Sequence, residues 1–190
     1  MHSDLQVPTE LMEGFRPPAS MTPEELGDTL ARLVWESFSD FLDEGDAGVS
    51  LQALGIHTDD GMPPGHVAEE ALIFLLWAHT RGAQLAFVGR APDDLLRMGL
   101  DSLHRAVFED MVGHGTPAAQ LPLFEQRVSA RYAEYNQAAA GSDAELSRVA
   151  LRHLTGTSGS AHQALAIMDR ALAVASPLRD FLEDVELTPA

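Results

Sequence analysis

The side chains in this chain that could do chemistry are eight histidines and 29 carboxylates, set against 12 basic residues, all arginine, and no cysteine. Imidazoles and carboxylates can hold a metal when they converge from facing helices. Two stretches place such a pair one helical turn apart, His66-Val67-Ala68-Glu69 and Asp101-Ser102-Leu103-His104. Neither the Glu-x-x-His pair of di-iron bundles nor His-Glu-x-x-His occurs, so no metal is expected. Asp40 to Gly48 resembles a calcium loop only in its acidity. With Asp43 first, positions three, five and twelve become Gly45, Ala47 and Leu54, which supply no ligating side chain.

His79 differs from the other histidines because it falls inside the apolar arc of a helix, between Leu72 and Leu75 on the wheel. A buried neutral imidazole hydrogen-bonded to a carbonyl or a tyrosine is expected there, and such a group is sensitive to acid. No Ser-His-Asp pattern and no Gly-x-Ser-x-Gly elbow accompanies it. The absence of lysine excludes Schiff-base chemistry, pyridoxal phosphate attachment and a P-loop. The absence of cysteine excludes thiol nucleophiles, thiolate zinc sites and disulfides. No cofactor and no catalytic residue is assigned.

The most patterned polar and aromatic surface is Arg127, Arg131, Tyr132, Glu134 and Tyr135 on one helix. Tyrosine and arginine are enriched at interfaces, where one offers an apolar body with a polar tip and the other a planar fork. These five residues are the candidate interaction surface. The competing reading is core packing of the same stripe against the second or third helix.

The elements that must carry these residues are helical. Alanine and leucine together number 53 and the β-branched valine and isoleucine only 14, a balance that favours helix over strand. Thr22-Pro23, Thr116-Pro117 and Ser176-Pro177 have the form of helix starts, a capping residue followed by proline at the first turn. The periodicity predicts helices over 23–43, from 65 to about 88, 92–112, 122–140, 143–154 and 161–175, then a short seventh through 184. The 65–88 helix is apolar on nearly every side and is placed at the centre; the 122–140 helix carries a narrow stripe and is placed at the periphery. The expected architecture is an all-α, single-domain bundle of six or seven helices over residues 21–185. An extended arm over 1–20 with three prolines precedes it, and a mobile acidic tail over 186–190 follows.

Charge bounds the partners. The net formal charge is -17, which opposes direct binding to nucleic-acid phosphates or an anionic membrane. No apolar run reaches the roughly 18 residues of a membrane span, and no signal-peptide pattern opens the chain, so a cytoplasmic location is expected. The leading expectation is a non-enzymatic acidic protein acting through protein-protein contacts, in an assembly or adaptor role, as a homodimer. One alternative is a metal-dependent bundle enzyme using His79 or His104 with a nearby carboxylate. Another is an acidic nucleic-acid mimic that occupies a basic groove of a DNA- or RNA-binding protein.

Overall fold

In the computed structural model the described residues are 18–42 and 51–190, with the side chains of 170–172 and 174–176 left aside. Most of the expected arm, through residue 17, and the calcium-like segment from residue 43 to residue 50 lie outside them. The order is β1 (Ser20–Met21), α1 (Pro23–Leu42), α2 (Gly65–Phe87), α3 (Asp93–Gly113), a 3-10 helix (Ala118–Gln120), α4 (Leu121–Gly141), α5 (Asp143–Thr155), α6 (Ala161–Leu182) and β2 (Glu186–Leu187). The fold is an all-α bundle. Among the described residues no helix is long and apolar enough to cross a membrane.

Local chemistry starts and stops these helices. Thr22 and Glu25 cap α1 reciprocally, with Thr22 N donating to Glu25 Oε2 at 2.8 Å and Glu25 N to Thr22 Oγ1 at 3.3 Å. Ser160 and Gln163 make the same box at the head of α6, at 2.7 and 3.2 Å. Gly156, at φ 74°, ends α5 in the left-handed conformation that an L side chain resists.

Helix α2 is central, as its composition implies: sixteen of its 23 residues are buried. It packs against α1 on one flank and α6 on the other and touches α4 and α5, while α3 lies along α1. The α1–α3 crossing is set by glycine. A Cβ on Gly27 would sit 2.8 Å from the backbone nitrogen of Leu103 and closer still to Ser102 Cβ, and one on Gly99 would meet Leu26 Cδ2 at 2.8 Å. Alanine ordinarily favours a helix interior over glycine by about 1 kcal/mol. Here the overpacking, at about 1–3 kcal/mol and against unyielding backbone, wins. Gly27→Ala should therefore lower the urea midpoint; an unchanged or raised midpoint would show that α1 and α3 are not in contact at Gly27.

Two elements depart from the sequence expectation. No helix restarts at Ser176-Pro177: Pro177 lies inside α6, which runs unbroken to Leu182. An interior proline costs about 3 kcal/mol through its lost N–H and its clash with the carbonyl four residues back. That carbonyl belongs to Ala173, and the apolar stripe continues past the proline through Leu178 and Leu182, 4% and 0% exposed. Burying two leucines is worth about 1.5–3 kcal/mol each, enough to carry the helix through.

The second departure is in the segment assigned to a tail. Glu186 and Leu187 pair in parallel with Ser20 and Met21, Glu186 N donating to Ala19 O and Thr188 N to Met21 O, both at 3.0 Å. Met21 and Leu187 are buried. Arg90 stands beside this join and donates to the carbonyls of Ala86 (2.7 Å), Leu182 (3.2 Å) and Val185 (3.1 Å), placing a cation where α2 and α6 end.

Candidate interaction site

Helix α4 turns its patterned face inward. Arg131 grips Glu70 of α2 with two parallel bonds, Nε to Oε2 at 2.8 Å and Nη2 to Oε1 at 2.9 Å, and reaches Glu134 Oε1 at 3.3 Å through Nη1. The hydrogen bond to Glu70 holds the guanidinium's proton more tightly than usual. Glu134 then accepts from His153 Nε2 of α5 at 2.8 Å. Burial works against the Glu134 charge, but the bonds and charges of His153 and Arg131 outweigh it and hold the carboxyl below its ordinary range. One turn earlier, Arg127 pairs with Glu69.

The two tyrosines are also directed into the bundle. Tyr132 OH donates to His104 Nε2 at 2.9 Å and lies 3.1 Å from Thr80 Oγ1, which donates to it in turn. The direction follows from the imidazole: His104 Nδ1 lies 2.6 Å from the Leu100 carbonyl, which can only accept, so Nε2 carries the lone pair. Burial lowers the His104 pKa and raises that of Tyr132. Tyr135 is 0% exposed, packed edge-on to Phe74 and tilted against Trp77, with ring centroids 5.6 and 5.5 Å away. Its hydroxyl, among the described residues, is buried without a hydrogen-bond partner.

Arg131, Glu134, Tyr132 and Tyr135 are thus brought together in a polar layer where α4 meets α2, α3 and α5; the tyrosines pack inward, while Glu134 and Arg127, with 43% and 37% of their side chains exposed, keep its edge at the surface. Core packing against the second and third helices, the competing reading of the stripe, is the arrangement in the structure. Glu70, His153 and the Trp77–Asn136 bond (2.9 Å) belong to the same layer and were not singled out in the sequence.

The two hydroxyls make opposite predictions. Tyr132→Phe removes the donor that satisfies His104 and should cost about 1 kcal/mol, whereas Tyr135→Phe removes an unsatisfied buried group and should leave stability unchanged or raise it by about 1 kcal/mol. Paired urea titrations check this. Equal losses in both variants would contradict the hydrogen bonding described.

His79 is 2% exposed. Its Nδ1–H donates to the Leu75 carbonyl at 2.8 Å, and Nε2 faces Ser37 Oγ at 3.5 Å. Burial pushes its pKa down to about 4, against a smaller upward pull from the Leu75 bond. The two pairs that suggested a metal are divided by this geometry: Glu69 is taken by Arg127, and both nitrogens of His104 are engaged. Among the described residues no group of three or more histidines and carboxylates is placed to hold a metal ion.

An outward-facing groove lies elsewhere, between α1 and α3. It has a volume of about 960 Å³, its floor made by Ala31, Trp35, Phe38 and Leu42 and its rim by Asp28, Glu36, Glu109 and Asp110 with Arg32 and His114. Four carboxylates against one guanidinium leave this lining at -3 when His114 is neutral. The indole is held in place: Trp35 Nε1 donates to Asp110 Oδ2 at 2.9 Å, and its ring meets Phe38 edge-on at 5.7 Å. Its free edge borders the groove beside the exposed His114 ring, centroid to centroid 5.9 Å. Sequence reasoning missed this site. The available signal was an aromatic residue, Trp35, on the border between the apolar and acidic faces of α1.

Comparison of the chain with protein-family models, with curated proteins and with solved structures finds no match in any of the three.

Proposed function

We propose that this is a non-enzymatic acidic helical protein that acts through protein-protein contacts, and that the α1–α3 groove receives a basic amphipathic helix of its partner. The observation that carries the reading is the combination of an aromatic floor with a carboxylate rim. An apolar helix face would seat on Trp35 and Phe38 while its flanking lysines or arginines meet Asp28, Glu36, Glu109 and Asp110. A -17 chain attracts such a segment at long range. The homodimer expected from the N-terminal arm and the broad apolar helix arcs would need a different face, because two of these rims would set like charges against each other. A nucleic-acid mimic would present rows of carboxylates without an apolar floor, so the aromatic residues favour the adaptor reading.

The test uses a leucine–lysine peptide with apolar residues at helical spacing, and a scrambled peptide of the same composition. Binding of the first should fall at least tenfold in Trp35→Ala, as for an aromatic anchor at an interface centre, and should weaken with added salt. Equal binding of both peptides, or no effect of Trp35→Ala, would overturn the proposal.

A further inference from the structure

A second cavity, of about 330 Å³, lies between α1, α2 and α6. Its walls include Leu33, Leu178 and Phe181, and its polar groups include Ser37, Arg32 and the imidazole of His79. Among the described residues lining it there is no carboxylate, in contrast to the groove.

The chemistry of the cavity is set by His79. Because its Nδ1–H is given to the Leu75 carbonyl, Nε2 is fixed as an acceptor. The facing Ser37 hydroxyl stands 3.5 Å away, longer than a good O–H···N bond. A donor placed closer would make the better bond. Pro177 and Ala173 of α6 also line the cavity, and Pro177 has no N–H to donate to the Ala173 carbonyl.

We infer that this cavity binds a small, uncharged, largely apolar molecule of one or two rings that donates a single hydrogen bond to His79 Nε2. The volume lies at the small end of ligand sites. The described lining has no carboxylate to partner a buried cation, and its one guanidinium, Arg32, is mostly exposed and already paired with Glu36 at 3.9 Å, so burying a charged ligand here is costly. The site is separate from the groove, although α1 contributes to both and Arg32 lines each.

Indole and 1-methylindole are the probes, since they share ring and shape but only indole has an N–H. In the full chain at neutral pH, the His79 ring Cε1–H resonance should shift saturably with indole, with a Kd of about 0.1–1 mM for so few atoms. The methylated probe should bind about tenfold more weakly. Ala173→Trp, at an exposed wall position, should fill the space and abolish the shift, its folding checked by far-ultraviolet circular dichroism. Ser37→Ala, which removes the competing donor, should preserve or tighten indole binding. No shift up to the solubility of indole, equal affinity for the two probes, or a shift that persists in folded Ala173→Trp would overturn the inference; the two-probe comparison decides it without any variant.

Discussion

Replacing Arg131 with methionine should destabilise the protein by about 3 kcal/mol, because it strands the Glu70 carboxylate inside the bundle. Glu70 is 7% exposed and receives two bonds from one guanidinium. Removing one member of such a buried pair costs about 3–5 kcal/mol, whereas replacing both by apolar groups of similar size is often neutral. The Arg131 side chain retains 21% exposure, so water can partly relieve the stranded charge, which sets the expected loss at the low end. The double variant Glu70→Leu with Arg131→Met should recover most of the stability. In a chain of 190 residues, about 3 kcal/mol is roughly a 6–12 °C change in Tm. A loss below 1 kcal/mol for Arg131→Met, or a double variant as unstable as the single one, would show that Arg131 does not compensate a buried charge.

The second large effect is a loss of stability in mild acid. His79 titrates near 6.5 when unfolded and at about 4 when folded. Between those values the unfolded chain binds more protons, so stability is complete above about pH 6.5 and declines as pH falls towards 4. A separation of about 2.5 pH units corresponds to about 3 kcal/mol over the whole window, and about 2 kcal/mol between pH 7 and pH 5. Repulsion acts in the opposite direction, since protonating all eight histidines reduces the formal charge from -17 to -9. The variant His79→Gln separates the two effects. Its stability should fall less steeply than the parent's between pH 7 and pH 5 in urea titrations, the remaining acid loss coming from His104, which burial also holds below its ordinary pKa. Parallel curves would contradict a neutral buried imidazole.

Much of the helical order was readable because it is local. Capping pairs such as Thr22–Glu25, the apolar α2 and the position of His79 in its apolar arc follow from spacing along one segment. The misplaced helix restart at Pro177 followed from a rule that holds when nothing else favours continuation; here two buried leucines beyond it do. The α4 stripe could be placed on one face of a helix from its spacing alone. Whether that face met water or α2 depended on Glu70, distant in sequence and set among apolar neighbours. Gly27 and the groove depend on which helices become neighbours, α1 with α3, and no short-range pattern encodes that choice.

The most direct measurement of the proposed contact is photo-crosslinking in producing cells, with p-benzoylphenylalanine replacing Ser39 at the groove or, as the control, the exposed Ser129 on α4. A partner should be captured from position 39 and not from 129, with the attachment mapped by mass spectrometry to a basic amphipathic segment and lost when Trp35→Ala is added. Capture of the same partner from both positions, or attachment at 39 that survives Trp35→Ala, would contradict the proposed contact.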